Sequence, residues 1–295
     1  MKWTCMMLGF SLLLAKCGRS QDAGLAIEII PKSFKIVVPF EVNNKGIIFE
    51  TFWGSDKAKY ELLWDNNSPT WVNEKVIRES KSILKIKNIS YSTTTANGES
   101  IHGDVYNCDS ISLKQVTFKN VPFYEISDQM KGVFGENLIS RGIWEINFKN
   151  KLMVFTSSID SLEDIKNAEL LPSKFANNVI TIIITFHNKV RKNVELDFGF
   201  NGGILLPTSD FSEVTKGNNK IYKRDLQFSS PGSANILETT NAYDTVLMHK
   251  MTLTTFISTN SRVKDKLIGR AFFEKFDFVI FDYKNRLFYI SKKKG

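Results

Sequence analysis

Over most of the chain apolar and polar residues alternate at a spacing of two, in short runs rich in Val, Ile and Phe that Gly, Asn and Asp interrupt. That period puts the apolar side chains on one face of a strand. Strands are predicted at 36–42, 47–53, 60–64, 116–126 and 144–155, and again at 179–186, 194–196, 248–258 and 278–290. Helical spacing is scarce and runs for one or two turns after Gly135, at 136–141, and after Gly269, at 270–276. The more polar stretch 161–171 reads as a short helix or a linker, with Ser161 as cap and Asp164 as first-turn acid, and SSPGSAN at 229–235 reads as a plain loop. Many short strands divided by turn signals predict an all-β protein of barrel or sandwich type.

The pattern occurs twice. YELLWDNNSPTW carries Asp65 and is followed by GVFGENLISRGIWEINFKNKLMVF, while NVELDFGFNGGILLP carries Asp197 and is followed by KLIGRAFFEKFDFVIFDYKNRLFYI. Asp65 stands 70 residues before Gly135 and Asp197 stands 72 before Gly269, so two unrelated landmarks keep step. The turn at 54–56 has a counterpart at 187–189. Solenoid units are only about 20 to 50 residues long, so a repeat of this size means two lobes. They are predicted at 25–160 and 175–295, and 295 residues are enough for each to bury its own core.

An apolar strand ending in Asp, a turn, and much later two apolar residues and Gly leading into a short helix resemble the retropepsin-like and pepsin-like aspartic proteases. LIGRAFFEKF at 267–276 carries the resemblance most fully, and FDYKNRLFYI resembles the tail of bacterial members of that superfamily. The resemblance implies two similar β-barrel-like lobes of the acid-protease type, related by a pseudo-twofold axis, with Asp65 and Asp197 as the catalytic pair. Carboxylates about 3 Å apart share one proton. One then acts as base on a water and the other as acid toward a peptide carbonyl, and the roles belong to the pair. Water and two carboxylates suffice, so no cofactor is implied.

In that superfamily each Asp is followed by Thr or Ser and then Gly, and the hydroxyl bonds across the lobes. Here the runs are Asp65-Asn66-Asn67 and Asp197-Phe198-Gly199, degenerate motifs in which both hydroxyls are absent. Asn67 tolerates a left-handed backbone, and Phe198 is expected to pack at the lobe interface. A flap over the cleft is expected at 93–103, where Asn97 and Gly98 form a strong hairpin-turn signal, with an ordinary surface hairpin as the alternative. The lobe-two counterpart is expected near 237–248. Three functions stay open: an exported aspartic peptidase acting on peptides or proteins; a catalytically impaired relative that binds a peptide or other extended ligand between the lobes; and a β lipoprotein of another kind whose aspartates cap turns.

The N-terminus and composition narrow the setting. Residues 1–16 combine Lys2 with an apolar run at 3–15 and read as an export signal. Leu14-Ala15-Lys16-Cys17 resembles the lipobox of bacterial lipoproteins, although Lys16 departs from the small residue expected there. Lipidation at Cys17 would anchor the protein to the membrane of a bacterial envelope; without it the protein would be secreted or periplasmic. Loss of Cys5 with the signal and acylation of Cys17 would leave Cys108 alone, a small packed residue with no disulfide partner. His102, His187 and His249 lack metal-ligand spacing. The net charge of +8 is scattered, with no basic stripe interleaved with aromatics, which argues against nucleic acid. Trp53, Trp64, Trp71 and Trp144 are expected in the core or between the lobes.

Overall fold

The computed structural model describes residues 26–94, 100–126, 130–218, 220–230 and 233–292. The expected signal segment with Cys17, and the expected turn Asn97-Gly98, lie outside the described residues. The first lobe runs β1 (Glu28–Ile30), β2 (Lys35–Pro39), β3 (Glu41–Val42), β4 (Ile47–Trp53), β5 (Ala58–Trp64), β6 (Trp71–Asn73), α1 (Glu74–Glu79), β7 (Ile83–Thr94), β8 (Ser100–Leu113), β9 (Val116–Ile126), β10 (Gly132–Phe134), α2 (Glu136–Ile139), β11 (Ile143–Asn147) and β12 (Leu152–Thr156). Two 3-10 turns, Ile159–Ser161 and Glu163–Asn167, lead into β13 (Ala168–Leu171). The second lobe runs β14 (Ser173–Ala176), β15 (Val179–Thr185), β16 (Arg191–Asp197), β17 (Ile204–Leu205), α3 (Thr208–Val214), β18 (Ile221–Ser230), β19 (Ser233–Met248), β20 (Met251–Thr259), β21 (Leu267–Gly269), α4 (Arg270–Phe273), β22 (Phe278–Asp282) and β23 (Leu287–Ser291).

The lobes repeat one another pair by pair. β5 lies parallel to β10 as β16 lies parallel to β21. β6 lies parallel to β9 as β17 lies parallel to β20. Turn residues with left-handed backbone recur in matched places, as Lys57 and Lys189, Lys114 and His249, and Lys151 and Arg286. The architecture is all-β and bilobal, of the acid-protease type.

A six-stranded sheet, β13-β23-β22-β11-β12-β2, is shared by both lobes. Its centre is the antiparallel pair β11 and β22, in which Ile143 faces Asp282, Glu145 faces Ile280 and Asn147 faces Phe278. Glu145 and Ile280 are each the middle residue of equivalent strands, so the pseudo-twofold axis passes between them. Trp144, Phe155 and Phe281 join the main core on the inner face, where Trp64 lies 5.1 Å from Phe281 and 6.3 Å from Trp144, ring centre to ring centre. On the outer face Ile143, Phe278 and Ile280 pack under Leu162 of the connecting segment. Glu145 is buried, and burial, then the charge of Asp164, pushes its carboxyl up to about 7.

Several expectations are corrected. The predicted strands 144–155 and 278–290 are each a hairpin, because a side chain holds the turn: Asn147 Oδ1 accepts from Asn150 N–H at 3.0 Å and Asp282 Oδ1 from Asn285 N–H at 2.9 Å. Met248 closes β19 and does not start the next strand. Segment 229–235 is no plain loop; Ser229 and Ser230 pair with Ala234 and Ser233 in the ladder. Segment 161–171 connects the lobes as a short 3-10 turn and a strand, but Ser161 caps neither, its hydroxyl donating to Ser158 O at 2.7 Å. The short helices α1 and α3 were not expected; α1 is capped by Asn73, whose Oδ1 accepts from Val76 N–H at 3.0 Å. Trp53, Trp64, Trp71, Trp144 and Cys108 are all buried.

Candidate active site

Asp65 follows β5 and Asp197 ends β16, and in each lobe a parallel neighbour fixes that strand end. Asp65 N–H donates to Phe134 O at 3.2 Å, and Asp197 stands opposite Gly269 in the ladder. The chain after each aspartate then folds against the glycine of the second landmark. A Cβ on Gly135 would lie 2.2 to 2.4 Å from backbone atoms of Ser68, Pro69 and Thr70, and one on Gly269 would lie 2.3 Å from Phe200 O and 2.5 Å from Gly202 O. No side chain fits in either place. The glycines keep step with the aspartates because each is the floor on which its aspartate loop rests.

The loops bring the two aspartates together. A Cβ on Gly199 would lie 2.1 Å from Oδ2 of Asp65 and 2.5 Å from its Cγ, so the backbone two residues after Asp197 touches the opposite carboxylate. Both aspartates are half-buried. Burial pushes the Asp65 carboxyl up to about 6, opposed by Asn67 N–H, which donates to its Oδ1 at 2.9 Å. Burial, followed by the charge of Asp65, pushes Asp197 up to about 8, opposed by the N–H groups of Phe200 and Gly199. Phe200 N–H reaches Asp197 Oδ1 at 3.0 Å. Both carboxyls are thus held above the usual carboxylate range, by burial first and, for Asp197, by its neighbour's charge.

The cross-lobe bonding expected of two hydroxyls is made by one amide. Asn66 is 1% exposed; its Nδ2 donates to Leu196 O at 2.9 Å and its Oδ1 accepts from Phe198 N–H at 2.9 Å. It therefore grips the residues on both sides of Asp197. Asn carries donor and acceptor on one planar group, so it needs no matching side chain from the other lobe. Phe198 packs at the interface as expected, with Phe281, Phe273 and Trp64 at 5.1, 5.4 and 5.6 Å. The turn in lobe one forms without a left-handed Asn67, which is absent from the positive-φ residues.

Further contacts between the lobes flank the pair. On one side buried Arg270 donates through Nε to Asn201 Oδ1 at 3.2 Å and through Nη2 to Asn43 O at 3.4 Å, while Asn201 Nδ2 donates to Asn44 O. On the other, Asn178 Nδ2 donates to Glu136, whose carboxyl burial pushes upward. These residues stand in equivalent places of the repeat. The sequence signal for them is position alone, directly after Gly135 and Gly269.

The flap expected at 93–103 falls on the hairpin of β7 and β8, whose tip lies outside the described residues. At its base the Tyr91 ring lies tilted against Tyr124, centres 4.5 Å apart, and Tyr91 donates its hydroxyl to Glu125 O. Both tyrosines join Leu63, Trp71 and Val133 in an apolar cluster separate from the main core, and Leu63 lies on β5, the strand that leads to Asp65. The counterpart hairpin in lobe two is β18 and β19, longer than the expected 237–248. His187 pairs with Asp244 and His249 with Glu169, and among the described residues no three metal-ligating side chains cluster. No helix among them is long and apolar enough to cross a membrane.

No family model and no curated protein matches the chain. Among solved structures it is similar to the crystal structure of an aspartic proteinase from Irpex lacteus, with a TM-score of 0.62 at 14% identity, over 88% of this chain and 98% of that one. At that identity the likeness carries the fold.

Proposed function

We propose that the protein is an exported aspartic peptidase in which Asp65 and Asp197 share one proton and activate a water against a peptide bond. The observation that carries this reading is the Asn66 bridge, which holds the residues around Asp197 while Gly199 abuts the Asp65 carboxylate. In the proposed step the ionised carboxyl takes a proton from water as the water oxygen bonds to the carbonyl carbon, and the protonated carboxyl gives its proton to the carbonyl oxygen. Collapse of the tetrahedral adduct breaks the C–N bond and returns a proton to the leaving amine. An extended peptide lying between the lobes is the substrate class, and no cofactor enters the reaction. Export by residues 1–16, with acylation of Cys17, would set the reaction at a bacterial envelope.

The test is a mixed peptide library incubated with the protein from pH 3 to pH 9 and read by mass spectrometry, beside Asp65→Asn and Asp197→Asn. Cleavage is expected to be greatest between about pH 6 and pH 8, where the pair holds one proton. Each variant is expected to lose at least about 1000-fold in rate. Cleavage that persists in both variants, or no cleavage at any pH, overturns the proposal; peptide binding without cleavage would instead support an impaired relative. Mass spectrometry of the mature N-terminus tests Cys17.

A further inference from the structure

The two lobes serve as controls for one another at the corner where the turn after the first long strand meets the segment joining the helix to the hairpin. In lobe one that segment has three residues, 80–82, between α1 and β7. The corner is closed: Gly54 N–H donates to Ser110 O at 2.8 Å, and a Cβ on Gly54 would lie 1.9 Å from Ser82 Oγ. In lobe two the segment has six residues, 215–220, between α3 and β18. The turn is otherwise conserved in shape, with left-handed Lys189 matching Lys57, but His187 stands where lobe one has Ser55. Here the corner opens into a groove of about 490 Å³ lined by His187, Asn218, Lys220, Tyr243, Asp244 and Thr254. That volume suits a small ligand.

The groove is built of fixed parts. Asp244 is 6% exposed, and its carboxylate accepts from His187 Nδ1 at 2.8 Å and from Thr245 N–H at 2.7 Å. With Nδ1 held by this carboxylate, Nε2 is the ring nitrogen left for a ligand. Asn218 is pinned, donating through Nδ2 to Tyr243 O at 2.8 Å and accepting Lys220 N–H at 2.9 Å. The Tyr243 ring is 55% exposed and is braced edge-on by Phe256 at 5.5 Å.

We infer that this groove binds a saccharide. A braced, half-exposed aromatic ring matches the apolar C–H face of a pyranose. Beside it His187 offers a ring nitrogen, Lys220 an ammonium and Thr254 a hydroxyl, a set that a ligand with many hydroxyls, each both donor and acceptor, can satisfy together. A purely apolar ligand would strip water from these groups without replacing it. One histidine and one carboxylate with no third ligating side chain among the described residues make no cation site, and the buried Asp244 charge opposes an anion.

Saturation-transfer NMR on the full chain with chitotriose, cellotriose and maltotriose at millimolar concentration tests the inference. Transfer to at least one trisaccharide is expected, lost in Tyr243→Ala and at least ten-fold weaker in Lys220→Ala. Ser55→Ala and Asp197→Asn are expected to bind as the parent does, which separates this site from the peptidase reading. Thermal melts identify any variant that fails to fold, and Tyr243→Ser and Thr254→Val then stand in for it. No transfer to any trisaccharide, or binding that survives the loss of both Tyr243 and Lys220, overturns the inference.

Discussion

After Asp65 the chain sets two amides, Asn66 and Asn67; after Asp197 it sets a phenyl ring and then no side chain, Phe198 and Gly199. The surrounding ladders are the same in both lobes, so the difference cannot come from topology. Of the two residues directly after each aspartate, Asn66 in lobe one supplies side-chain hydrogen bonds to the other lobe, and Phe198 and Gly199 in lobe two supply apolar packing and an open place for the opposite carboxylate. The constraint therefore acts on the pair of loops and not on each copy. One copy can lose a hydrogen-bonding side chain provided the other reaches both backbone groups it served.

The comparison is broken most severely at Phe198. Phe198→Ala empties a site that is 0% exposed and is expected to cost about 3–5 kcal/mol in denaturant melts. A cost below about 1 kcal/mol would show that the ring is not what packs lobe two against lobe one. Asn66→Leu leaves Leu196 C=O and Phe198 N–H buried without partners and is expected to cost about 2–4 kcal/mol. Asn66→Asp, which keeps the acceptor but sets a buried carboxylate oxygen against Leu196 C=O, should cost at least as much as Asn66→Leu; a clearly smaller cost would mean that the bond to Leu196 C=O adds little.

The third prediction concerns charge. Both aspartates have folded-state values above their unfolded ones, so the unfolded chain holds fewer protons over the interval between them and stability falls as pH rises. The stabilising contribution is complete below about pH 4 and is lost as pH passes about 6 for Asp65 and about 8 for Asp197. Asp197→Asn should therefore raise the melting temperature by a few degrees near pH 9, with a smaller rise for Asp65→Asn and none for either near pH 4. A rise of the same size at both pH values would place the effect elsewhere. The smallest effect is expected of Asn67→Ala, which keeps the N–H that holds Asp65 and should change stability by less than about 0.5 kcal/mol. A larger loss would mean that the Asn67 side chain, and not its backbone, shapes the lobe-one loop.

The lobes and their aspartates were legible in the chain because they rest on local rules. Alternation marks a strand such as Ile47–Trp53, and a glycine that carries the weight of a loop must recur at a fixed distance from it. Of the hairpin arms β7, β8, β18 and β19 only parts were legible, near 93–103 and 237–248, since the rest of their runs lack regular alternation and the ladder supplies what their side chains do not. Asn66 was unreadable for a different reason. Its partners are the backbone groups of residues 130 and 132 positions away, and a backbone group leaves no letter in the sequence. His187 and Asp244 are likewise 57 positions apart, and only the fold makes them neighbours.

The mismatch on the pseudo-twofold axis bears on partner choice. β11 could in principle pair with β11 of another molecule in the register it uses with β22, and the middle position would then set Glu145 against Glu145. Like charges directly opposite on adjacent strands repel, and these would be buried as well. With Ile280 opposite, a single carboxyl occupies the axis and meets Asp164 on the connecting segment. The duplicated strand is therefore no copy of itself at its centre, since an acid on one side of the axis meets an aliphatic side chain on the other.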